Sequence, residues 1–294
     1  MEWKGRRSSD NVEDARGTQV VAGGAIGILL TRIVTRLWGF KGLAVIAGVG
    51  LLGYMTGIID PAFFLGGSQV KQTEYQPTAE EQEVFNFVTV VLADTEDVWR
   101  QQFQAIGREY IPPTLVIFSG QYPTECGMGD ARMGPFYCPA DQQVYIDLGF
   151  YDALEQEFQA PGDFAQAYVI AHEIGHHVQR LLGITDQVHA AQKRTGKAEA
   201  NELSVRLELQ ADFLAGVWAY HAQRARQVLE EGDIEEALNA ASRIGDDRLQ
   251  MEAQGYVVPD AFTHGTSEQR MRWFLRGYQT GDLSQGDTFK ASSL

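Results

Sequence analysis

Hydrophobic and polar positions change their rhythm along this chain, and the changes mark out its parts. Between Gly42 and Ile59, eighteen consecutive residues carry no charge. From Thr78 to about Tyr110 the pattern turns amphipathic with a helical period. Thr78-Ala79-Glu80-Glu81 reads as a capping-box start, and Pro112-Pro113 stop the helix. Leu115-Val116-Ile117-Phe118 is short, β-branched and aromatic, and predicts a strand; the alternating run Gln143–Leu148 predicts another, entering a helix near Tyr151–Leu154. From Asp163 onward the chain reads as almost wholly helical. Asp163 is the expected N-cap of a first helix after Pro161-Gly162, a second covers about Asn201 to Val228, and a third runs from Asp233 to about Met251. A C-terminal helix opens at Thr266 or Ser267. The pattern predicts an α+β fold, a small sheet packed on helices.

The charge-free run would extend roughly 27 Å as a helix, close to the hydrocarbon thickness of a bilayer. Its five glycines would weaken a soluble helix and are tolerated in membrane ones. No small-residue cleavage site follows it, so it does not read as a removed signal peptide. The earlier apolar run, Val20 to Leu30, is too short to span and is followed by Arg32 and Arg36. The expected organisation is a basic cytoplasmic segment at 1–41, a single transmembrane helix at 42–59, a linker at 60–77 and a domain at 78–294. Arg32, Arg36 and Lys41 precede the span, whereas Lys71 is the lone basic residue between Asp60 and Trp99. The positive-inside rule then places the N-terminus in the cytoplasm and the domain on the periplasmic or extracellular side of the inner membrane.

Charge and cysteines sharpen this. The 294 residues carry a formal net charge of −15, and residues 1–41, with seven Lys/Arg and four Asp/Glu, hold +3, so the remainder holds −18. An acidic domain argues against nucleic acid as a partner, because phosphate neutralisation needs clustered Lys/Arg. Cys126 and Cys138 are the two cysteines, separated by a loop with three glycines and a proline. They lack the C-x-x-C spacing of metal or redox sites, and a disulfide between them suits an oxidising compartment; two buried thiols are the alternative.

The chemistry is concentrated in His172-Glu173-Ile174-Gly175-His176, an H-E-x-x-H pattern within a predicted helix. Residues i and i+4 share a helix face, so both imidazoles can close on one Zn²⁺ while Glu173 addresses a water on that ion. The continuation H-x-x-G-x-x-H is ruled out, since Gln179 and Leu182 stand at its Gly and final His positions. A third ligand from a later helix fits better. Arg206-Leu207-Glu208-Leu209-Gln210-Ala211-Asp212 sets two carboxylates one turn apart among apolar residues. Glu208 is assigned to the metal, and Asp212 to accepting an N–H from a ligating imidazole, His172, which fixes the ring. One zinc per chain is expected. His177 projects about 100° from His176 and cannot join from a regular helix; His189 and His221 have no ligand spacing and read as surface residues. His264, in the loop Thr263–Thr266, either hydrogen-bonds a developing oxyanion or braces the loop.

These motifs resemble the bacterial putative neutral zinc metallopeptidase family. So do the opening Trp3-Lys4-Gly5-Arg6-Arg7 through Asn11-Val12-Glu13-Asp14, the block Tyr137–Leu148 and the stretch Thr263-His264-Gly265-Thr266-Ser267-Glu268-Gln269-Arg270. The blocks lie in matching order over nearly the whole length. The resemblance implies a membrane-attached, gluzincin-type peptidase: a mainly helical zincin-like domain with His172, His176 and Glu208 as ligands and Glu173 as catalytic base.

The expected activity is hydrolysis of a peptide bond in a peptide or protein substrate by a zinc-activated water, with Glu173 moving the proton. The strand at 143–148 is expected to line the cleft and pair with an extended peptide. Two other readings compete. One is a membrane-tethered binding or scaffold protein with structural zinc, which would want a fourth protein ligand. The other is a hydrolase of a non-peptide amide.

Overall fold

The structure, a computed structural model, describes residues 1–21, 69–72 and 75–294. The charge-free run at 42–59 lies outside these residues; among those described, no helix is long and apolar enough to cross a membrane.

The fold is mainly helical, with small sheets. The main sheet has the order β1 (Val12–Asp14), β4 (Thr114–Phe118), β8 (Gln143–Asp147), β7 (Phe136–Cys138). The first three strands are parallel, with Val12 opposite Leu115 and Leu115 opposite Val144; β7 closes one edge antiparallel, with Tyr137 opposite Val144. Strand alternation divides the faces. Leu115, Ile117, Val144 and Ile146 enter the large core with Phe87, Val91, Trp99 and Tyr168, whereas Val116, Phe118 and Tyr145 point the other way. Over that second face folds a hairpin, β5 (Gln121–Thr124) and β6 (Gly127–Asp130), whose Tyr122 packs on it. Cys126 at the hairpin tip is joined to Cys138 at the end of β7, with Cα atoms 5.8 Å apart, as the sequence led us to expect. A further pair, β2 (Thr18–Val21) and β3 (Gln69–Gln72), is antiparallel, so part of the expected linker is strand.

Among the described residues eight helices follow the strands or separate them: α1 (Ala79–Ala105), α2 (Gly149–Gln156), α3 (Asp163–Leu181), α4 (Ile184–Gln192), α5 (Lys197–Arg226), α6 (Asp233–Arg243), α7 (Asp246–Gln254) and α8 (Ser267–Thr280). The Thr78–Glu81 capping box forms, and a second one, Thr266 with Gln269, opens α8. Two expectations are corrected. Asp163 is not the N-cap of α3 but its first residue; the helix start is instead capped from outside, where Glu236 accepts the Phe164 N–H at 3.1 Å. The single helix expected from Asp233 to Met251 breaks at Ile244-Gly245 into α6 and α7, which frees Asp246 to face the loop before α8. Helices α5 and α8 nearly touch: a Cβ on Gly277 would lie 2.0 Å from the Phe213 carbonyl oxygen, so only glycine permits the contact.

The expected boundary between residues 1–41 and the domain also moves. Residues 1–18 are part of the domain. β1 sits in the main sheet, and the preceding chain neutralises acidic groups buried on α1. Arg6 bonds Asp94 at 3.0 Å; Arg7 at 3.2 Å, Ser9 at 2.5 Å and Asn11 at 2.7 Å all reach Glu96. Without them, among the described residues Asp94 would keep the Arg226 ion pair, and Glu96 that of the half-exposed Arg100.

The disulfide ties the hairpin to the edge strand across a 12-residue separation. Closing such a loop contributes about 3 kcal/mol, chiefly by restricting the unfolded chain. Replacing both Cys126 and Cys138 with Ser should therefore lower the midpoint of thermal unfolding, read by circular dichroism, while leaving zinc content at the wild-type level.

Candidate metal centre

Helix α3 carries the site because its two faces have different tasks. His172 and His176, one turn apart, look toward α5, while His177 looks toward the sheet. Its ring bonds the Ile111 carbonyl at 2.7 Å and the Tyr137 hydroxyl at 3.1 Å. Burial pushes the His177 imidazole down to about 4, so it stays neutral and fixes edge strand β7 against the helix. Gly175 lies between the two metal-facing histidines. A Cβ there would meet the Ala211 backbone oxygen at 2.9 Å, so glycine lets α5 approach closely enough for its carboxylates to reach both rings.

The expected constellation assembles. Glu208 Oε2 lies 3.2 Å from His172 Nε2 and 3.4 Å from His176 Nε2. Donors bound at about 2.0–2.2 Å to a tetrahedral ion sit roughly 3.3–3.5 Å apart, so the three atoms have the spacing of three faces toward one Zn²⁺. The far sides of the rings agree. His172 Nδ1–H donates to Asp212 Oδ1 at 2.8 Å, and His176 Nδ1–H donates to Gln179 Oε1 at 2.9 Å, leaving both Nε2 atoms as acceptors for a metal. Among the described residues no fourth His, Cys, Asp or Glu joins the three.

Electrostatics favour positive charge at the centre. Burial pulls the His172 pKa down, but Asp212 and Glu208 outweigh it and carry the group up to about 10; His176 rises as well, with Glu208 outweighing burial. Glu208 itself, despite burial, is held well below the usual carboxylate range by the two imidazoles. Glu173, buried beside them on the cleft wall, is pushed up by burial, and among the described residues none donates to its carboxylate.

Tyr168, Arg270, Gln179 and Asp246, which support the expected residues, had no signal in the spacing of motifs. Asp212, wholly enclosed, accepts from the Tyr168 hydroxyl at 2.5 Å and from Arg270 Nε at 2.8 Å as well as from His172. Arg270 Nε donates to Oδ2 and its Nη2 donates to Oδ1 at 2.9 Å, making a bidentate pair. Gln179, the residue that excluded the longer histidine motif, holds His176 and anchors to the Leu207 carbonyl at 2.7 Å. Asp246 binds the backbone N–H groups of Thr263, His264 and Gly265 through Oδ2 at 2.7, 2.6 and 3.0 Å, and its Oδ1 lies 3.3 Å from His264 Nδ1. Asp246 therefore braces the loop, and His264 does not have to; its half-exposed ring lines the cleft that holds His172, Glu173, His176 and Glu208. His189, expected only at the surface, lines the same cleft of about 880 Å³. His221 sits away from it, bonding the Gly281 carbonyl.

The model of the family described as "Putative neutral zinc metallopeptidase" matches residues 1–289. The chain belongs to that family. It is 51% identical over 297 residues to "Uncharacterized protein YpfJ" of Escherichia coli K12, covering 99% of this chain and 100% of that one. It is 45% identical over 195 residues to "Uncharacterized protein Mb2605" of Mycobacterium bovis, covering 63% of this chain and 65% of that protein. No solved structure matches.

Among the described residues a second acidic group, Asp163, Asp233 and Glu236, faces the Met1 α-ammonium, 2.6 Å from Asp163 and 3.5 Å from Asp233. One zinc per chain is expected, at the first group. His176→Ala and Glu208→Ala should emerge from dialysis with little metal, whereas Asp212→Asn should keep its fold and bind zinc about 10- to 100-fold more weakly. Metal quantification with a competing chelator reads both, and full zinc retention in Glu208→Ala would contradict the ligand set.

Proposed function

We propose that this protein is a membrane-anchored zinc peptidase that hydrolyses peptide bonds with Glu173 as the general base. The observation that carries the reading is the buried, undonated Glu173 carboxylate beside a three-ligand His172, His176, Glu208 set in an open cleft. A purely structural zinc would want a fourth protein ligand and has no use for a free carboxylate.

Zn²⁺ in that set would supply a lowered pKa for a bound water and polarisation of a substrate carbonyl. The chain's own groups account for the rest. Glu173 takes the water's proton and passes it to the leaving amine; the raised pKa that burial gives it suits both halves of that transfer. His264, aligned by Asp246 and left with Nε2 free of protein partners among the described residues, donates to the developing oxyanion. Asp246, through the hydrogen bond it accepts, holds the imidazole in its cationic, donating form above its ordinary range.

A peptide is favoured over another amide by the sheet edge. The expected pairing of substrate with the strand at 143–148 is replaced, because β8 is flanked on both sides by β4 and β7. Among the described residues β1 and β7 are the edge strands of this sheet, and Phe136 and Tyr137 of β7 line the cleft beside Glu173. An extended peptide laid along β7 would gain main-chain hydrogen bonds and cross the metal centre. The charge-free run at 42–59 supports anchoring in the inner membrane, and the disulfide supports a zinc domain on its outer side.

Glu173→Gln should keep the fold and a full zinc equivalent yet lose peptide hydrolysis, because an amide does not accept the water's proton; a fully active variant ends the catalytic reading. His264→Gln should lower kcat about 10²- to 10³-fold, as for loss of an oxyanion donor. In the wild type, activity should fall as pH rises through the raised His264 pKa and the donor loses its charge. That alkaline limb should flatten in His264→Gln, read from kcat against pH on a peptide library substrate.

A further inference from the structure

Helix α5 is held on a second face, away from its metal ligand. Arg206 and Gln210 lie one turn apart and two residues to either side of Glu208, on a face turned about 160° from it. The segment that follows α8 packs there. Arg206 Nη1 donates to the Thr288 carbonyl at 2.5 Å and to that of Ala291 at 3.3 Å. The buried Thr288 hydroxyl returns a bond to the Arg206 carbonyl at 2.6 Å. Gln210 Nε2 donates to the Gly286 carbonyl at 2.8 Å. A Cβ on Gly286 would come within 2.3 Å of the enclosed Phe213 ring, so glycine lets the segment lie against α5.

Gln210 passes this contact on toward the metal centre. Its Oε1 accepts from Gln179 Nε2 at 3.1 Å, the same nitrogen that donates to the Leu207 carbonyl at 2.7 Å. Gln179 Oε1 in turn faces His176 Nδ1 at 2.9 Å. The direction of each bond in this chain is set by the backbone. A carbonyl oxygen accepts and does not donate, so the Gly286 carbonyl requires the NH2 of Gln210, and the Leu207 carbonyl that of Gln179. Turning either amide over would set one carbonyl against another, and both side chains are buried. Gln179 therefore offers His176 its oxygen. His176 must carry a proton on Nδ1 and present Nε2 toward Glu208.

We propose that the segment Leu283–Ala291 is a positioning element of the metal centre: its Gly286 carbonyl, through the amides of Gln210 and Gln179, holds His176 with Nε2 turned to the ion. The inference rests on the zinc ligand set of His172, His176 and Glu208. The relay does for His176 what Asp212 does for His172, with neutral amides in place of an ion pair. Arg206 and Thr288 keep the segment on α5, and with it the Gly286 carbonyl in reach of Gln210.

Zinc affinity of the full-length protein, measured by chelator competition, tests this through a double-mutant cycle. Gln179→Met removes the acceptor at nearly constant side-chain length and should weaken zinc about 10- to 100-fold. Gln210→Met leaves Gln179 its bond to the Leu207 carbonyl but cuts it off from Gly286, and should weaken zinc about 2-fold or more. That cost should vanish in the Gln179→Met background, because the amide it acts through is gone. Thr288→Val, which frees the segment from the Arg206 carbonyl, should behave as Gln210→Met does, and carries the test if circular dichroism shows Gln210→Met unfolded. Costs that add in the double variant would mean ordinary packing and overturn the relay. Wild-type affinity in both Gln210→Met and Thr288→Val would overturn it too. Wild-type protein that binds no zinc would end the ligand set as well, so the two failures are told apart.

Discussion

The site depends on one enclosed carboxylate. Asp212 is wholly buried and accepts from Tyr168, His172 and Arg270, groups that come from α3 and α8 while Asp212 itself sits on α5. An isolated carboxylate there would be costly; the bidentate Arg270, equally buried, neutralises it, and the pair holds the Asp212 pKa down at about 2. The remaining lone pairs serve His172, whose ring is thereby turned with Nε2 outward. Three helices are thus fastened at the point where His172, His176 and Glu208 converge. Breaking that carboxylate or that guanidinium leaves the other charge buried without its partner, so the metal centre and the helical core share one weakness.

Close approach of backbones makes this fastening possible. Gly175 brings α3 onto α5 and Gly277 brings α8 onto α5, each where a Cβ would strike a carbonyl oxygen. The sheet is joined to the same assembly through His177, which is kept neutral and bonds both the Tyr137 hydroxyl on β7 and the Ile111 carbonyl. Through this contact the edge strand is joined to the helix that carries the other two histidines; His177 is one residue from His176 and five from His172 but on a different face. The N-terminal residues complete the body by neutralising Asp94 and Glu96, which α1 buries beneath them.

What the sequence revealed was whatever obeys a fixed period. His172, His176 and Glu173 follow from helical spacing, and Glu208 and Asp212 from a second one-turn pair; all five meet in the cleft or directly behind it. The pairing of Cys126 with Cys138 followed from number and spacing. Contacts between distant segments left no such trace. Asp246 reaches His264 only because a helix breaks at Gly245, and the apolar pattern runs through that break. Arg270 and Gln179 act through partners 58 and 3 residues away, one on another helix and one within the same turn, and neither distance is a motif. Residues 1–18 carry Lys and Arg in a pattern that also suits a cytoplasmic flank; their role appears only when the buried acids they meet are located. The pairing of an extended peptide with the strand at 143–148 fails for a similar reason, since alternation in Gln143–Leu148 shows burial of one face and says nothing of order within the sheet.

The central claim is a zinc ion held by two imidazoles and one carboxylate, with its remaining position open to solvent. X-ray absorption at the zinc edge of purified full-length protein tests it most directly. The account predicts two histidine nitrogens and two oxygen ligands, from Glu208 and solvent, all near 2.0–2.2 Å, with imidazole outer-shell scattering and no sulfur. A sulfur shell near 2.3 Å, a third imidazole, or a protein that binds no zinc would contradict it.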